Sequence, residues 1–148
     1  NDLIIRIMHR YGFGEVPYIS TVQSSDGETR ADDETKLDRR RVERILVNLL
    51  ENARDHANGA TRVTLNSNGN NFTLAVHDAG PGVAASERTQ IFDRFTRGTS
   101  SRNSKGSGLG LAIVSEHARA LQGAAHIEQS LEGGSSFVIS FPKNEGQA

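Results

Sequence analysis

The sequence predicts an α+β fold, a two-layer α/β sandwich in which helices cover one face of a mixed, mostly antiparallel sheet. Three patterns carry this expectation. Residues 38–57 repeat their apolar side chains at helical spacing. Two pairs of segments, 61–66 with 72–78 and 125–130 with 136–141, alternate apolar and polar residues and are each joined by a turn. A second helical segment, 109–121, stands between the two pairs.

Composition bounds what such a fold can do. A chain of 148 residues is one domain with room for a substantial core. Apolar content of 35% is low and 15 glycines are many, but the apolar residues cluster periodically. That describes a folded domain with long polar loops rather than a disordered chain. The 17 Lys and Arg residues balance 18 Asp and Glu, which leaves no global attraction to nucleic acid or to an anionic membrane. Without cysteine there is no disulfide framework and no thiolate chemistry, in keeping with a reducing compartment. No apolar run is long enough to span a bilayer, no signal peptide is visible, and a start at Asn1 leaves room for upstream segments.

The elements follow in chain order. Residues 2–11 read as a helix ended by Gly12 and Gly14. His9 within it is either a phospho-accepting histidine or an ordinary surface one; no acidic or catalytic neighbour favours the first. Residues 16–22 are β-rich, and Pro17 assigns them to an edge strand. Residues 24–33 are polar and expected to form a loop or hairpin connection. Residues 34–37 are expected to form a short strand leading to Asp38 as the helix N-cap.

In the central helix Val42, Ile45, Leu46, Leu49, Leu50 and Ala53 make the apolar face, and Asn48, Asn52, Asp55 and His56 the adjacent one. Asn48 and Asn52 are one turn apart. Asparagine competes with the helix for backbone hydrogen bonds, so two at this spacing need a reason. Either they are solvated or internally bonded amides, or they are an oxygen-rich rail for a cation or polar ligand. Amide oxygens are neutral hard ligands suited to Mg²⁺ that keeps its waters and a substrate phosphate.

Beyond Asn58-Gly59, a turn signal, Val63 and Leu65 alternate with polar neighbours in 61–66, and 68–71 is a hairpin turn. In 72–78 the inward residues are Phe72, Leu74 and Val76, and Asp78 shares their phase. A carboxylate entering the core edge is costly unless something there bonds it. The tight turn Ala79-Gly80-Pro81-Gly82-Val83 follows at once. Residues 86–95 suggest a short helix with Ile91, Phe92 and Phe95 on one side. Residues 96–108 are long, polar and basic, with Arg97, Arg102 and Lys105; such a loop is functional or disordered. The helix over 109–121 has the stripe Leu111, Val114, Ala118 and Leu121, with Gly123 ending it. Ile127 points inward from 125–130, and Phe137, Ile139 and Phe141 from 136–141.

Lys105-Gly106-Ser107-Gly108-Leu109-Gly110-Leu111 opens the second long helix. Glycines before a helix leave free N–H groups at the positive dipole end, which suits phosphate. The spacing is neither a Walker loop nor a Rossmann fingerprint. A hinge is the other reading, and the two are compatible.

Four motifs in order make the pattern specific: Asn48-Leu49-Leu50-Glu51-Asn52-Ala53, Asp78-Ala79-Gly80-Pro81-Gly82, Ile91-Phe92-Asp93-Arg94-Phe95, and Gly106-Ser107-Gly108-Leu109-Gly110-Leu111. With them the chain resembles the catalytic, ATP-binding domain of bacterial sensor histidine kinases, in the ATPase superfamily shared with gyrase B, Hsp90 and MutL. The resemblance covers residues 34–142 of a single domain; 1–33 match loosely as a variable opening helix and strand, and 143–148 are a polar tail. It implies the Bergerat-type ATP-binding fold and ATP with Mg²⁺ as ligands. Asn52 resembles the metal asparagine, and Asn48 the residue that helps hold metal and phosphates. Asp78 resembles the acceptor for the adenine amine, with Gly80 and Gly82 letting backbone approach the base. Phe92 and Phe95 look like anchors of the ATP lid, and Arg97, Arg102 and Lys105 like its cations. Gly106, Ser107, Gly108, Leu109, Gly110 and Leu111 fit the glycine box that meets the phosphates. Ser135 and Ser136 stand where the family often has threonine; Ser136 is assigned to the cofactor site.

The same resemblance implies that the γ-phosphate goes to a histidine on a dimerisation domain absent from this sequence, for relay to a response regulator. It implies a cytoplasmic domain of a bacterial inner- or plasma-membrane protein, monomeric as a fragment and homodimeric as a whole. No phospho-accepting box occurs here. Asp55 stands where many members carry Lys or Arg, so one phosphate-facing cation is replaced and His56 takes over part of that contact. Asn48 stands where gyrase-type relatives have a glutamate; an amide cannot act as a base, so slow hydrolysis is expected. The alternatives are a related ATPase or serine kinase of the superfamily, or a nucleotide-insensitive partner-binding module.

Overall fold

The computed structural model describes residues 2–21, 33–81, 110–129 and 133–142. In chain order the elements are α1 (Asp2–Arg10), β1 (Tyr18–Ser20), α2 (Asp33–Ala57), β2 (Ala60–Asn68), β3 (Asn71–Asp78), α3 (Gly110–Ala120), β4 (Ala124–Gln129) and β5 (Ser135–Pro142). The sheet runs β1-β2-β3-β5-β4. β1 lies parallel to β2, and the other pairs are antiparallel. The mixed, mostly antiparallel sheet expected from the sequence is therefore present, with Pro17 leading into the edge strand.

Strand alternation decides which face is covered. Val63, Leu65, Leu74, Val76, Ile127, Phe137 and Ile139 are buried with Ile45, Leu46, Leu49 and Leu50 of α2 and with Val114 and Ala118 of α3, in one core. Phe72 and Phe141 are cross-strand partners on that face, their ring centroids 5.7 Å apart. The opposite face carries Thr64, Thr73, His77, Ser136 and Ser140. Among the described residues no helix is long and apolar enough to cross a membrane.

Two expectations are corrected here. Residues 34–37 are not a strand, and Asp38 is not an N-cap, because α2 already begins at Asp33. Glu, Lys and Leu are good helix formers, and acidic residues in a first turn suit the helix dipole, so this segment extends α2. At the end of α3 the left-handed residue is Gln122, at φ 66°, rather than a glycine. Gly123 N bonds Ala118 O at 2.8 Å and Gln122 N bonds Arg119 O at 2.9 Å, a Schellman closure. Gly123 serves space instead: a Cβ there would lie 1.8 Å from Ser140 O. His9 is exposed on α1, its ring against Gly14.

α2 and α3 pack along a seam in which Arg41 Nη1 lies 3.4 Å from His117 Nδ1. A guanidinium only donates, so Nδ1 accepts and the ring is the neutral tautomer. Burial, then the charges of Arg41 and Arg44, hold the His117 pKa below 6.5, against a smaller opposing effect of Glu116. The unfolded chain thus binds more protons than the folded one between the lowered value and 6.5, and stability falls as pH drops through that window. Thermal melts from pH 7.5 down to 5.5 should show a steeper loss for the parent than for His117→Gln; parallel losses would contradict the sign.

Candidate functional site

Asp78 closes β3 on the covered side of the sheet and is 4% exposed. The protein itself bonds this buried carboxylate. Oδ1 accepts from Gly80 N at 3.0 Å and from Ser135 N at 3.2 Å. The register explains the second bond, since His77 pairs with Ser136 and so brings Ser135 beside Asp78. Two glycines let the backbone close around it. A Cβ on Gly134 would lie 2.3 Å from Asp78 O and 2.5 Å from Oδ1, and one on Gly80 would lie 2.5 Å from the Ala57 Cβ. Both hydrogen bonds fall on Oδ1. Among the described residues no donor meets Oδ2, which remains an acceptor for a ligand N–H.

The asparagines sit on α2 at the other end of the same surface. Asn48 Nδ2 donates to Arg44 O at 2.7 Å, the back-bond to the preceding turn. Only the amide nitrogen can face a carbonyl, so Oδ1 turns outward. It turns toward the start of α3, where a Cβ on Gly110 would lie 3.4 Å away. Asn48 therefore lies beside the positive, N-terminal end of α3. Asn52 is half-buried one turn on, and its amide makes no side-chain hydrogen bond among the described residues. Leu111 packs against the core from the first turn of α3.

These pieces meet through α2. Ala57 touches Gly80, so the helix joins Asn48 to Asp78 across roughly 13 Å of its length. Asp55 and His56 are exposed near its end, and Asp55 Oδ1 lies 3.5 Å from Arg54 Nε. Arg54 also stands over the Phe13 ring, 5.7 Å from its centroid. Ser136 is elsewhere: its Oγ lies 2.7 Å from His77 Nδ1, and His77 Nε2 lies 3.0 Å from Thr64 Oγ1, on the opposite face of the sheet. Gly82, Phe92, Arg97, Arg102, Lys105, Gly106, Ser107, Gly108 and Leu109 lie outside the described residues.

Sequence reasoning understated Ser135 and missed Gly134 and Ala57. The signal for Ser135 was available, since it shares the phase of inward-facing Phe137 and Ile139. No local pattern foretold the approach of Ala57 to Gly80, which only the packing of α2 on the sheet creates.

A carboxylate fixed by backbone at a strand end thus lies at one end of α2, and Asn48 faces the start of α3 nearer the other. Residues 37–145 match the model of the histidine kinase-, DNA gyrase B-, and HSP90-like ATPase family, and the chain belongs to that family. It is 43% identical over 108 residues to the sensor protein RstB of Escherichia coli (strain K12), a match covering 72% of this chain and 25% of RstB. The chain thus spans about a quarter of that relative. Among solved structures it is similar to the mycobacterial sensor histidine kinase MprB, with a TM-score of 0.67 and 25% identity over 95% of this chain and 92% of that one. It is also similar to full-length ShkA in complex with AMPPNP, with a TM-score of 0.62 and 30% identity over 95% of this chain and 28% of ShkA. The expected fold and family are borne out, and the chain corresponds to the ATP-binding catalytic domain of sensor histidine kinases.

Proposed function

We propose that the domain binds Mg-ATP and delivers the γ-phosphate to a histidine on a dimerisation domain of the same protein, for relay to a response regulator. The observation that carries this reading is the division of labour along α2. A fixed carboxylate with one open oxygen lies at one end, and the outward amide oxygen of Asn48 beside a helix N-terminus lies at the other. An adenine amine donates to Asp78 Oδ2, and Gly80 and Gly82 admit the base. Asn52 ligates Mg²⁺ and Asn48 assists with metal and phosphates. Neutral hard oxygens suit that ion, which supplies charge neutralisation across the phosphates. Gly106, Ser107, Gly108, Leu109, Gly110 and Leu111 offer N–H groups to the phosphates. Arg97, Arg102 and Lys105 act as lid cations anchored by Phe92 and Phe95.

Two features tune the chemistry. Asn48 cannot take a proton from water, so hydrolysis stays slow and the γ-phosphate is kept for transfer. Asp55 is partnered by Arg54, so His56 and the lid carry more of the phosphate charge. The similarities to a sensor protein, RstB, and to a sensor histidine kinase, MprB, support the sensor-kinase reading; a cytoplasmic location and a homodimeric whole protein are part of that reading. The AMPPNP held by ShkA supports the nucleotide.

Asn52→Ala tests it. By calorimetry the variant should lose affinity for Mg-ATP, while its affinity for ATP in EDTA matches the parent's. Equal losses in both conditions would make Asn52 structural and remove the metal from this end of the site.

A further inference from the structure

Beyond Asn48, toward the start of α2, lies an open cleft of ≈ 430 Å³ lined by Arg40, Arg41, Glu43, Arg44 and His117. Its charge is lopsided. Among the described residues Glu43 is the only carboxylate in the lining, and it is engaged elsewhere: Tyr11 Oη donates to its Oε2, and Arg10 Nη1 stands 3.6 Å from the same oxygen. Among the described residues no carboxylate pairs with Arg40, Arg41 or Arg44. Arg40 and Arg44 are exposed, whereas Arg41 is half-buried and held at 3.4 Å from His117.

Clustered arginines repel one another, and the fold keeps them together without a described counter-charge. The cleft also neighbours the candidate nucleotide site along α2 and α3. Arg41, Arg44, Asn48 and Asn52 are spaced by 3, 4 and 4 residues, so they form one file along α2. Arg44 lends its carbonyl to Asn48, and α3 borders both regions, Gly110 beside Asn48 and His117 beside Arg41.

We propose that this cleft is an anion site for a phosphate group, gripped by the Arg41 and Arg44 guanidiniums at the outer end of the asparagine file. Guanidinium forks match the oxygens of phosphate, and charge-assisted bonds of this kind are the strong ones. The phosphate has two possible sources, the terminal phosphate of a nucleotide seated on Asn48 and Asn52, or a free phosphate. Only the first source rests on the nucleotide reading above.

His117 is the reporter. The groups facing it are Arg41 and Arg44 from α2 and Glu116 from its own helix, and the two arginines help hold its pKa down after burial. An anion on those arginines must raise it toward its ordinary value. The test is an NMR titration of the His117 imidazole in the intact chain and in Arg41→Gln/Arg44→Gln. Inorganic phosphate is added against chloride of equal ionic strength, and then Mg-ATP and Mg-ADP. Circular dichroism checks that the double variant is folded.

A rise with inorganic phosphate, with affinity weakened about tenfold or more in the double variant, supports the site. A rise with Mg-ATP alone supports it and assigns the γ-phosphate as the occupant. No movement under any of the three overturns the proposal, as does the same response in the double variant. Equal responses to Mg-ATP and Mg-ADP with none to phosphate also overturn it, as a general effect of nucleotide. Failure of the nucleotide reading shows separately, as a Gly80 amide that Mg-ATP leaves unmoved, and the phosphate arm still decides.

Discussion

Gly134→Ala is expected to lower the melting temperature sharply and to weaken ATP binding in the same protein. The new Cβ would lie 2.3 Å from Asp78 O, 2.5 Å from Asp78 Oδ1 and 2.6 Å from Gly80 N. None of these atoms is the loose end of a side chain. Two belong to backbone, and the third is a carboxylate oxygen tied down by two N–H groups. Relief requires β3 and β5 to part at the site. Overpacking costs about 1–3 kcal/mol and more where backbone must move; the upper end corresponds to about 6–12 °C in a domain of this size. Gly133 is the internal control. It has φ +97° and nothing within 4 Å of where a Cβ would stand, so Gly133→Ala meets conformational strain alone. Thermal melts should rank Gly134→Ala well below Gly133→Ala, and the reverse order would contradict the close approach around Asp78.

Asp78→Asn should separate the ligand from the fold. The amide keeps an oxygen for Gly80 N and Ser135 N, so both buried donors stay satisfied and the melting temperature changes little. Its nitrogen then takes the place of Oδ2 and presents a donor to the adenine amine. The expected loss is about 1.5–3 kcal/mol, tenfold or more in ATP affinity by calorimetry. Asp78→Ala adds a structural penalty, because it strands two buried N–H groups at about 1–3 kcal/mol each. An Asn variant that melts like the Ala variant would mean that the negative charge itself supports the fold.

Most of the architecture was legible in the sequence because its signals are local. Period-two alternation placed Leu74, Val76 and Asp78 on one face, and helical spacing placed Asn48 and Asn52 beside the apolar stripe of α2. The strand expected over 34–37 gives way to α2, because Glu, Lys and Leu are good helix formers and an acidic first turn favours extending the helix. What the sequence hid is tertiary. The partners of Asp78 are backbone N–H groups of Gly80 and Ser135, which leave no mark on side-chain pattern. Ser136 was assigned to the site on family likeness, yet the pairing of His77 with Ser136 puts its hydroxyl on the other side of the sheet and Ser135 beside Asp78. The charge of the α2–α3 cleft likewise emerges only when Arg41 and His117, 76 residues apart, are brought together.

Competition between ATP and GTP on the parent chain tests most directly whether Asp78 reads an adenine amine. Guanine presents a carbonyl oxygen where adenine presents the amine, so two acceptors would face each other across Oδ2. With Mg²⁺ in excess, ATP should bind and GTP should bind roughly a hundredfold or more weakly. In Asp78→Asn the gap should narrow, because the amide can donate to that carbonyl. Equal affinity of the parent for ATP and GTP would contradict the account.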